Sequence, residues 1–200
     1  MKKGILSIIV FFMLLANGVF AQQAVLKWNP LSLIINCYNG SFEYVIKDRY
    51  SAQLGGYFIN FKQEVEEGNQ FNYFKLKGFS LTPEFRYYIF KEAPNGLYVA
   101  PFLRYQNLLF KSHEEIDTLG QTFTNDEKFR FQTLGGGFTL GYQWIRGERY
   151  SIDVFLGPSY YFGTTKAGSN IDSDKFSLNS SGKISGGFNL RWGVLLGISL

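Results

Sequence analysis

The side chains able to do chemistry in this 200-residue chain are few: one His, one Cys, and ionised groups scattered among 21 Phe, 13 Tyr and 3 Trp. His113 stands between Ser112 and the pair Glu114-Glu115. Those are the residue types of a hydrolytic triad, in which a base takes the proton of a hydroxyl nucleophile and a carboxylate orients the base. Neighbours along one stretch of chain do not converge on each other, so the expectation is a plain loop histidine and no catalytic residue. The acidic clusters Glu114-Glu115 and Asp172-Ser173-Asp174, with Asn170 nearby, offer the oxygens that a hard cation such as Ca²⁺ needs. Neither has the calcium-loop spacing with its turn glycine, and no metal or cofactor is expected. Cys37, placed in a short first loop, has no basic neighbour to activate it and reads as an inert thiol. Gly135-Gly136-Gly137 lacks the lysine and helix that follow a phosphate loop, so it reads as strand glycines that make space or allow a bend.

A different set of charges is more orderly. Glu84, Arg86, Arg104, Asp153 and Arg191, with Glu43 beside them, fall at alternate positions between apolar residues. The elements that carry them must therefore be strands. Leu190, Trp192, Val194, Leu196, Ile198 and Leu200 alternate with Arg191, Gly193, Leu195, Gly197 and Ser199. The same period of two runs through Tyr150 to Phe162, Leu134 to Trp144, Leu97 to Leu109 and Phe79 to Ile89. Weaker alternation marks about Val25 to Ile35, Phe42 to Ile46 and Tyr50 to Phe61, making eight strands and no convincing helix. Pro83, Pro101 and Pro158 lie inside strand patterns, where they cannot donate to a ladder, so bulges or interruptions are expected there.

The start of the chain predicts export. Lys2 and Lys3 precede an apolar run from Ile5 to Ala16, and Val19-Phe20-Ala21 forms a small-residue cleavage site, so residues 1–21 read as a signal peptide and 22–200 as the mature domain. The apolar run is too short to span a bilayer as a helix. Cleavage removes two of the four excess positive charges and with them much of the case for nucleic acid.

Connection lengths then alternate. Joins near 47–49, 91–96 and 146–149 are short, whereas 62–73, 111–127 and 165–181 are long and polar, with the first join of that side, 36–40, brief. Short turns on one side and long loops on the other, with both termini on the short side, predict an eight-stranded antiparallel up-and-down barrel in an outer membrane. The long segments hold ten carboxylates against four lysines, with Lys128 just beyond, which suits an outer surface. Glu43, Glu84, Arg86, Arg104, Asp153 and Arg191 then belong in the lumen as a structural polar network, since an Arg facing lipid near the midplane costs about 2–4 kcal/mol. A barrel of eight strands is filled by its own side chains, so no solute channel is expected. Trp28, Trp144 and Trp192 suit an interfacial girdle.

Leu26-Lys-Trp-Asn-Pro30, Leu81-Thr-Pro-Glu-Phe-Arg-Tyr-Tyr88, Leu97-Tyr-Val-Ala-Pro-Phe-Leu-Arg-Tyr105 and Phe155-Leu-Gly-Pro-Ser-Tyr160 give the chain its family resemblance. It resembles the small exported barrels of Bacteroidota-type bacteria that are classed as a domain of unknown function, and is similar in architecture to OmpA- and OmpX-type barrels. The resemblance implies an outer-membrane β-barrel and assigns no activity or site residue. The expected reading is a non-enzymatic, cofactor-free barrel in contact with outer-membrane lipid and lipopolysaccharide, with surface loops for envelope integrity or an unidentified partner. The alternatives are a lipid-modifying enzyme of the same architecture, acting through His113, and a secreted soluble lipocalin-like barrel.

Overall fold

The computed structural model describes residues 24–67, 70–118, 121–147, 149–167 and 185–200. The expected signal peptide and most of segment 165–181 lie outside the described residues. The strands are β1 (Ala24–Trp28), β2 (Cys37–Lys47), β3 (Tyr50–Glu67), β4 (Gln70–Tyr88), β5 (Gly96–Thr118), β6 (Gln121–Arg146), β7 (Tyr150–Ala167) and β8 (Ser185–Ser199). Each pairs antiparallel with its chain neighbour, and β1 closes on β8 to make an eight-stranded up-and-down barrel. The period-two pattern works as it must in such a wall. One face carries Leu54, Leu81, Leu103, Phe138, Leu156 and their like outward and exposed, and the other buries Glu43, Arg86, Gln143 and Asp153.

Three local expectations need correction. The first strand does not run to Ile35: β1 ends at Trp28, and Pro30–Ile35 forms a 3-10 turn. Asn29 caps that turn by accepting from the Leu31 amide, Pro30 supplies a preset φ, and Asn36 ends it in the left-handed region at φ 49°. Cys37 is therefore not a loop residue but the buried first residue of β2. Segments 62–73 and 111–127 are not loops either, since β3 to β6 continue through them as paired strands of 18, 19, 23 and 26 residues. Charge and polarity hid them, because a strand standing in water needs no apolar outer face. At the base of these extensions a ladder of rings, Phe61, Phe74, Phe110, Phe129 and Phe131, links β3 to β6, with successive centroids 4.7–6.4 Å apart.

The prolines interrupt without shifting register. Pro83 keeps its β3 partner Leu54 but breaks the β4–β5 ladder, which resumes at Glu84 opposite Phe102. Pro158 stays opposite Leu190 in β8 while the β6–β7 ladder skips from Gly137 to Leu140. The register shift recorded in the barrel lies elsewhere, between Val45 and Lys47 of β2. The short turns and both strand termini gather at one end of the barrel, called here the turn end. The prolonged hairpins project from the other, the hairpin end.

Candidate functional site: a charged lumen

Alternation sends one side chain of every second residue into a narrow tube, so polar groups from distant strands meet. At the turn-end half, Lys27 from β1, Glu43 from β2, Glu84 and Arg86 from β4 and Asp153 from β7 are buried together, with Arg191 from β8 at their upper edge. Lys27 Nζ lies 2.5 Å from Glu43 Oε2 and donates to Asp153 Oδ2 at 2.9 Å and to Gln143 Oε1 at 2.6 Å. Arg86 Nη1 donates to the same Asp153 oxygen at 2.7 Å, and its Nη2 reaches Glu84 Oε2 at 3.2 Å. Arg191 Nη2 donates to Glu84 Oε1, and the Ser51 hydroxyl donates to Glu43 Oε1. Two phenols complete the set. Tyr88 donates to Glu43 and Tyr98 to Asp153, each at 2.7 Å, while the Arg86 guanidinium stacks on the Tyr98 ring at 4.3 Å.

Three cations and three carboxylates thus neutralise one another in a buried space. A lone ion there would cost several kcal/mol, and only the mutual pairing and the phenol, hydroxyl and amide partners offset that desolvation. Gly141 is part of the design: a Cβ on it would fall 2.4 Å from the Tyr98 hydroxyl. Tyr88, Tyr98, Ala100 and Phe155 pack beside the ions as a small apolar cluster.

Of the six charges expected in the lumen, Glu43, Glu84, Arg86, Asp153 and Arg191 share this network. Arg104 does not. It sits one layer nearer the hairpin end, its Nε donating to Thr82 Oγ1 at 3.0 Å, and among the described residues no carboxylate is in ion-pair contact with it. Sequence reasoning missed Lys27, although its position between outward Leu26 and Trp28 carried the signal, because a five-residue strand gives alternation little length to show. It also passed over Tyr88, Tyr98 and Gln143, which lie on the right face but are uncharged.

The remaining candidates scatter. Ser112 and His113 follow each other on β5 and so project to opposite faces, and across β6 they stand against Glu127 and Asp126. That arrangement does not bring Ser112 to His113. Asn170 and Asp172-Ser173-Asp174 lie outside the described residues. Gly135 to Gly137 lie in mid-strand, and a Cβ on Gly135 would fall 2.3 Å from the Tyr161 ring, so this glycine makes space inside the tube.

The profile of the family described as "Protein of unknown function (DUF3575)" matches residues 6–190. The chain belongs to that family. No curated protein matches it. Among solved structures the barrel is similar to that of Acinetobacter baumannii CarO, at 12% identity and a TM-score of 0.49, over 92% of this chain and 100% of that one. So distant a likeness says nothing of what either protein does, and the family assigns no activity.

Proposed function

We propose that this protein is a non-enzymatic integral outer-membrane β-barrel, sealed by its own side chains at the turn end, with that end toward the periplasm and the prolonged hairpins outside the cell. One observation carries the reading: exposure is inverted. Residues such as Phe138, Leu103, Phe162 and Leu140 are exposed by 55% or more on the outer wall, while Lys27, Glu43, Arg86 and Asp153 are at most 1% exposed inside. Water would reverse that arrangement, and hydrocarbon favours it. A secreted lipocalin-like barrel would need the apolar face inside, so the inversion argues against that alternative. Rings also gather on the outer wall near the turn end, where Tyr50 stacks with Phe85 and Tyr87 and Tyr142 lies 4.4 Å from Trp144. That clustering supports an interfacial girdle.

About ten tilted residues cross the hydrocarbon layer, so strands of 23 and 26 residues stand far beyond it. The parts outside present the Lys62 and Glu64 ion pair and other mixed charges to solvent, a surface suited to lipopolysaccharide or a macromolecular partner. Fractionation combined with surface proteolysis tests the reading. The protein should sediment with the outer membrane, and protease added to intact cells should cut it within 62–73 and 111–127 while the turn at 91–96 survives. Recovery in the soluble fraction without detergent would refute it, and cleavage at 91–96 would invert the orientation.

A further inference from the structure

Above the sealed half, the lumen holds a cavity of about 270 Å³ whose lining joins two opposite kinds of residue. Arg104, Arg191, Gln53 and Ser80 face it from within. Arg191 is held flat between the Phe102 and Phe155 rings, at 4.4 and 4.7 Å, and Glu84 takes only its Nη2. Its Nε and Nη1 are buried without a protein partner, as are both amide atoms of Gln53 and the hydroxyl of Ser80. Arg104 adds a second guanidinium, which among the described residues has no carboxylate in ion-pair contact. Buried donors of this kind are costly to leave unmet, and Arg104 adds one positive charge to a network whose three cations and three carboxylates already balance.

The same cavity is also lined by Leu190 and Trp192, which are outward-facing residues of β8, exposed by 53% and 73%. They can line it because the wall is incomplete there. β1 pairs with β8 only from Leu196 to Ser199, whereas β8 continues back to Ser185 along β7. Among the described residues, the stretch of β8 from Ser185 to Leu195 has no ladder partner on the β1 side. The chain that leaves β1 there forms the 3-10 turn, whose Leu31 and Ile34 are 67% and 79% exposed. An open strand edge is tolerated at membrane depth only where it borders a polar cavity or its contents.

The geometry points to a lateral binding site for a single-chain amphiphile with an anionic head. The carboxylate or phosphate head sits in the cavity against Arg104 and the free edge of Arg191, with Gln53 and Ser80 as further donors. The alkyl chain leaves through the β1–β8 seam, between Trp192 and Leu31, into the outer leaflet. Planar guanidinium groups match an oxyanion head, and the apolar seam matches its tail. This inference rests on the membrane reading above.

The test uses the full barrel refolded in a nonionic detergent, with dodecanoate and acetate as probes and native mass spectrometry as readout. One dodecanoate should bind per barrel, and Arg104→Gln, which leaves the ion network intact, should weaken it about tenfold or more, the loss of one charge-assisted hydrogen bond. Lys62→Gln, remote from the cavity, should bind as the wild type does. Equal binding of acetate would replace the amphiphile with a free soluble anion and overturn the lateral route. Dodecanoate binding unchanged in Arg104→Gln, or absent from a wild type that inserts into vesicles, would overturn the site itself. A wild type that fails to insert would instead refute the membrane reading.

Discussion

Asp153→Asn should be among the most damaging single changes in the barrel. The Asp153 carboxylate lies 2.9 Å from Lys27 Nζ and 2.7 Å from Arg86 Nη1, and accepts from Tyr98 at 2.7 Å. Asn keeps the shape and an acceptor for Tyr98 but removes the charge, leaving Lys27, Arg86 and Arg191 against Glu43 and Glu84 in a site shut off from water. Stranding one buried cation costs about 3–5 kcal/mol. The second half of the prediction separates charge balance from general damage. Adding Lys27→Met restores two cations against two carboxylates, so the double variant should be more stable than Asp153→Asn alone, with a favourable coupling of about 1–3 kcal/mol. The assay is urea unfolding of the refolded barrel in lipid vesicles, followed by tryptophan fluorescence. If Asp153→Asn costs under about 1 kcal/mol, or if the two changes simply add, the network is not a mutually neutralising unit and the argument fails.

Three further outcomes follow from the same geometry. Gly141→Ala should destabilise the barrel by about 1–3 kcal/mol by driving a methyl into the Tyr98 ring, whereas Gly187→Ala, with nothing within 4 Å of the added atom, should unfold at wild-type urea concentration. Leu140→Arg, on the outer wall and 56% exposed, should cost about 2–4 kcal/mol in vesicles; a neutral effect there would place that face in water. His113→Ala and Ser112→Ala should leave the species of lipid A in the cell unchanged when membrane lipids are profiled by mass spectrometry, because the two side chains leave β5 on opposite faces; an altered lipid profile would revive the enzymatic alternative.

The amino-acid sequence by itself determined the wall. A period of two is a property of each strand alone, so the division into an apolar face with Phe138 and Leu156 and a polar face with Arg86 and Asp153 could be read one segment at a time. Short turns between such segments dictate antiparallel neighbours, and eight of them are enough to close. In the prolonged hairpins the signal failed: β5 and β6 run on through 111–127 as a paired ladder above the Phe110 and Phe129 rings, and a charged outer face looks like a loop. Where β1 was brief, Lys27 went unrecognised.

Only the tertiary structure decided which charges meet. Glu43, Asp153 and Lys27 are far apart in the chain, and nothing in their local spacing tells Arg86, which bonds Asp153, from Arg104, which bonds Thr82. That difference depends on the stagger between strands around the closed barrel, which fixes the depth at which each inward side chain sits. Closure likewise set the unequal lengths of β1 and β8 against each other, and so opened the seam beside Trp192. Face is local and follows from alternation; depth and partner are global and follow from register.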